Sequence, residues 1–71
     1  ILNIMSLSTI IIKASLDTNP ALYIQRTYHN ITLQQAELDI RQAWRDHFGV
    51  NNPQYLNISG VRLNIVYELH P

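Results

Sequence analysis

Apolar residues recur at offsets of three and four from Leu33 onward: Leu33, Ala36, Ile40, Ala43, Trp44 and Phe48. At 3.6 residues per turn they line one stripe, so the pattern predicts an amphipathic helix from Thr32 to Gly49. Gln34, Gln35, Gln42, Arg45 and Asp46 fall off the stripe, and Leu38 sits alone on the polar side. Thr32 is the expected N-cap and Gln35 the expected second half of a capping box. Ile31 and Ala36 form a weak staple across that end. Gly49 suits a left-handed C-terminal position, with Arg45 and His47 in the last turn. Glu37 and Arg41 stand in the favourable i,i+4 order.

A different period holds on both sides of the helix. Leu7 to Leu16 alternates, with Ile10, Ile12, Ala14 and Leu16 on one face and Leu7, Thr9, Ile11, Lys13 and Ser15 on the other. Aliphatics occur on both faces, as in a central strand or one that pairs across a subunit boundary. Asp17-Thr18-Asn19-Pro20 reads as a four-residue turn. Ala21 to Tyr28, rich in β-formers, reads as the returning strand, with a helix over 21–27 as its competitor. Beyond the helix, 50–54 is a loop and Tyr55–Ile58 a short strand candidate. Ser59-Gly60 is a candidate hairpin turn, followed by strict alternation from Val61 to Leu69. Val61, Leu63, Ile65, Tyr67 and Leu69 form one face; Arg62, Asn64, Val66, Glu68 and His70 form the other.

These elements predict an α+β fold of order β-β-α-β-β. It is a two-layer sandwich: a mainly antiparallel sheet with one helix on one face, its stripe set against Ile10, Ile12, Leu63 and Ile65. The 71 residues make one small domain, with no repeat, linker or low-complexity segment. Ile1 to Ile4 precede Met5, a candidate natural start; they then belong to a longer frame or form a flexible end.

Composition sharpens this picture. The chain is 46% hydrophobic and only 14% charged, a balance that argues for a folded domain. There is no cysteine, hence no disulfide staple, and a chain of this size buries little core. Oligomerisation is the remaining common way to stabilise it. Five basic residues balance five acidic ones, so nothing draws the chain electrostatically to nucleic acid or an anionic membrane. No apolar run reaches the ~20 residues of a membrane span, and residues 1–12 lack the basic start of a signal peptide. The absence of cysteine fits a reducing compartment, and the expected location is cytoplasmic.

Candidate chemistry is sparse. His29, His47 and His70 share no metal-ligand spacing, and no cofactor or metal is expected. The two glycines preclude a glycine-rich phosphate loop, and no serine stands in a nucleophile elbow. Asn30-Ile31-Thr32 and Asn57-Ile58-Ser59 match the glycosylation tripeptide, but one is explained by the helix cap and the other by the turn approach.

The expected function is therefore non-catalytic: a small protein-interaction or regulatory module that self-associates, most simply as a dimer, and binds another, unidentified protein. The residues expected to carry contacts are Leu7, Ile11 and Val66 on the outer sheet face, Leu38 on the helix, and Arg41 and Arg45 as polar contacts. Nucleic-acid binding through Arg26, Arg62, the other basic residues and Tyr23, Tyr28 or Tyr55 is an alternative. A small oligomeric enzyme with a site at a subunit junction, built around the histidines, is a second.

Overall fold

The structure is a computed structural model that describes residues 9–71, with the backbone alone at Ile58. Strand β1 (Thr9–Leu16) turns at Asp17-Thr18 into β2 (Asn19–His29), followed by helix α1 (Leu33–Gly49) and strand β3 (Leu63–His70). All pairings are antiparallel and the sheet order is β2-β1-β3. The expected central place of β1 is what the sheet shows. The class is α+β.

The β1–β2 turn is tighter than the sequence implies. Asn19 already pairs with Leu16, while Ser15 pairs with Tyr23, so Pro20, Ala21 and Leu22 have no β1 partner. This irregularity places Pro20 where a strand needs no donor. The helical alternative for 21–27 is excluded, because the whole segment is strand.

The helix forms where its stripe and cap place it. Thr32 Oγ1 accepts from the Gln35 backbone N–H at 3.1 Å, and Gln35 Oε1 accepts from the Thr32 N–H at 3.4 Å. Gly49, however, is not the left-handed stop. No glycine among the described residues has a positive φ, and the chain stays right-handed through Val50. Asn52 closes the helix instead: its side-chain amide donates to the Phe48 carbonyl and its backbone N–H to the Gly49 carbonyl. Gly49 leaves room for Leu56, since a Cβ there would lie 2.3 Å from a Leu56 methyl carbon and the leucine would have to shift. The left-handed residue is Asn30, at φ 61°, in the bend that leads into the helix.

The expected strand at Tyr55–Ile58 does not form. Pro53–Leu56 and Ile58–Gly60 are 3-10 turns, so the described residues hold three strands rather than four, and Ser59-Gly60 is no hairpin loop. Pro53 starts the first turn, closed by the Tyr55 N–H on the Asn52 carbonyl. This swings the Tyr55 ring onto Trp44, with centroids 5.3 Å apart. Burying that ring on the helix competes with extending the backbone, and the turn wins.

The core lies between β1 and the helix. Ile10, Ile12, Ala14 and Leu16 are buried with Ala36, Ile40 and Trp44. Ala14 and Ala36, both fully buried, let the two elements approach closely. The expected helix contacts at Leu63 and Ile65 are only partial. The helix backbone approaches β1 and β2 far more than β3, so these residues are half-buried at the border of the core. Tyr67 and Leu69 continue the same face and are 47% and 45% exposed.

Candidate functional site

The residues singled out for contact divide between separate surfaces. Leu7 lies outside the described residues. Ile11 and Val66 share the open face of the sheet, opposite the helix. Val66 pairs with Lys13 and Ile11 with Glu68, which makes Ile11 and Val66 diagonal neighbours across β1 and β3. Val66 is 63% exposed and Ile11 half-buried. They line a shallow depression of about 160 Å³ with Lys13, Gln25, Tyr67 and Glu68.

Leu38, 64% exposed, belongs to the solvent side of the helix, in the other layer. Arg41 is held by Glu37, with Nη2 to Oε2 at 2.9 Å, and Arg45 donates to the Gln42 side chain at 2.9 Å. Both arginines are thus tied down along the helix, where exposed pairs of this kind contribute little. The structure brings together Ile11 and Val66; it does not bring Leu38, Arg41 or Arg45 to them.

The third strand shows what alternation alone could not. β3 is an edge strand, and it exposes apolar side chains to both sides: Val66 toward the open face, Tyr67 and Leu69 on the helix side beyond the helix's reach. Alternation marks which face each residue belongs to. The signal that a face lacks cover is the strand order, which places β3 away from the helix.

The opposite edge differs. β2 carries Pro20 near its start and points Arg26 to the helix side, where Arg26 Nη1 lies 3.5 Å from Asp39 Oδ2. Tyr28 donates its hydroxyl to the same carboxylate. Burial raises the Tyr28 pKa above its ordinary value; the Asp39 hydrogen bond adds to the rise and Arg26 opposes it. Beside this group is a polar groove of about 330 Å³, lined by Arg26, Asp39, Gln42, Ala43, Asp46 and His47.

The basic and aromatic residues meet in separate pairs and do not gather on one face. Of the described tyrosines only Tyr23 is on the open face, with Lys13 Nζ 4.8 Å from its ring centroid. Tyr28 and Tyr67 are on the helix side, Tyr55 packs tilted against Trp44, and Arg26 is engaged with Asp39. The histidines are dispersed as well. His29 and His70 flank Thr9 across the open face, His29 Nδ1 lying 3.2 Å from Thr9 Oγ1 and His70 Nε2 3.2 Å from Glu68. His47 stands edge-on to Phe48 on the helix. Among the described residues no three His, Asp or Glu side chains group as a ligand set, and no helix is long and apolar enough to cross a membrane. Comparison with protein-family models, curated proteins and solved structures finds no match to the chain.

Proposed function

We propose that this chain is a non-catalytic interaction module, a two-layer α+β domain that self-associates and acts by binding another protein. The observation that carries this reading is β3, an edge strand with apolar residues exposed on both faces and no covering element among the described residues. An edge strand of this kind presents unpaired N–H and C=O groups beside apolar surface, the combination that captures another strand. A small core without disulfides gains stability from such an association.

Native mass spectrometry of the 71-residue chain tests the reading. A mass at an integer multiple of 8.2 kDa is expected. Val66→Asp, which sets a charge on the exposed apolar strand, shifts that mass toward the monomer; Leu38→Asp, in the other layer, leaves it unchanged. A strict monomer, or a complex whose extra mass is metal, nucleotide or nucleic acid, overturns the reading.

A further inference from the structure

We infer that two copies of this chain join edge to edge through β3, antiparallel, with Val66 of each copy on the two-fold axis. This inference rests on the self-association proposed above and specifies the surface and its alignment. It starts from one hydrogen bond. The Asp17 N–H donates to the Arg62 carbonyl at 2.9 Å, one step beyond the Leu16–Leu63 pair. Antiparallel ladders alternate hydrogen-bonded and non-hydrogen-bonded pairs. Arg62, Asn64, Val66, Glu68 and His70 therefore turn their backbone groups toward β1. Leu63, Ile65, Tyr67 and Leu69 turn theirs to the outer edge, which has no partner strand among the described residues.

The two edges of the sheet are not equally guarded. Natural sheets blunt an edge with proline or an inward-pointing charge. β2 has both, in Pro20 and Arg26. β3 has no charge from Leu63 to Tyr67, and proline comes only after its end, at Pro71.

Among antiparallel two-fold alignments, only one pairs all four outward-turned residues with one another. An axis at Val66 sets Leu63 opposite the second copy's Leu69, and Ile65 opposite its Tyr67. An axis at Ile65 leaves Leu69 opposite Val61, outside the strand. An axis at Tyr67 sets Leu63 opposite Pro71, which has no N–H. The Val66 axis also gives apolar cross-strand pairs throughout the helix side and a valine pair on the open face. Charge fits too. Arg62 becomes the diagonal neighbour of the second copy's Glu68, twice over, and two chains of zero formal net charge do not repel. The product is one six-stranded sheet with both helices on the same face.

A disulfide tests the alignment, because the chain has no cysteine of its own. The Val66 pair is a non-hydrogen-bonded one, with Cα atoms about 4.5 Å apart. That separation lies within disulfide range. Val66→Cys, at an exposed position, is expected to give a reducible covalent dimer under mild oxidation. It should form on the order of a hundredfold faster than with Leu38→Cys, because the dimer raises the effective thiol concentration. If the unmodified chain is a dimer by native mass spectrometry but both variants cross-link equally slowly, the alignment is overturned and the self-association reading stands. If the unmodified chain is a strict monomer and Val66→Cys does not cross-link, both fall.

Discussion

The Trp44 indole N–H donates to the Leu22 backbone carbonyl across 2.9 Å, joining the middle of the helix to the edge strand β2. Leu22 lies in the stretch of β2 that has no partner on β1, so the indole serves a carbonyl left outside the ladder. Trp44 is also the largest fully buried side chain, with Phe48 and Tyr55 against its ring. One residue thus anchors the core, the second strand and the turn after the helix. Trp44→Phe keeps most of the apolar volume and removes the donor. The orphaned carbonyl should cost about 1–3 kcal/mol, a large share of the roughly 3–5 kcal/mol that a core of this size supplies. The check is the urea midpoint at unchanged slope. An unaltered midpoint would show that the bond contributes nothing.

Asn30 holds the left-handed backbone conformation that the chain needs between β2 and the helix. Asn and Gly adopt it readily, whereas other residues meet a clash at Cβ. Asn30→Ala should therefore destabilise by about 1 kcal/mol, while Asn30→Gly stays near neutral. Thermal unfolding of the two variants side by side separates conformational strain from loss of the side chain. Equal melting temperatures would sink the assignment.

Tyr28 predicts a fall in stability in the alkaline range. Its pKa is raised in the folded chain, first by burial and then by the Asp39 hydrogen bond. The folded state therefore holds this proton more tightly than the unfolded state. The resulting stabilisation is complete below the unfolded value of about 10 and is lost as pH rises through the higher folded value. The melting temperature should decline from about pH 10 upward, more steeply than in Tyr28→Phe. Identical pH profiles for the two chains would remove Tyr28 as a cause.

Much of the helix was readable from sequence because its signals are local. The Thr32–Gln35 capping box and the stripe from Leu33 to Phe48 span neighbours within one or two turns, and the structure keeps both. The Glu37–Arg41 pair is likewise an i,i+4 relation. Gly49 misled for the opposite reason. Glycine after a helix reads as a left-handed stop, but here it makes room for Leu56, brought back by the turn at Pro53. The stretch Tyr55–Ile58 misled similarly: its β-formers favour strand, yet the turn at Pro53 sets the Tyr55 ring against Trp44.

The candidate surface divides along the same line. Period-two alternation already places Ile11 and Val66 away from the core face, and Tyr67 and Leu69 on it. It is blind to neighbours across strands and to what lies above them. That Ile11 and Val66 are diagonal neighbours follows from the pairing of β1 with β3. That Tyr67 and Leu69 are half open follows from the helix lying over β1 and β2. The amino-acid order thus settles the helix with its N-cap, the two long alternating strands and their inward and outward faces, because these depend on residues a few positions apart. Strand order, the helix's position over the sheet and the openness of the β3 edge were decided only by the folded chain, because each depends on contacts between residues distant in sequence.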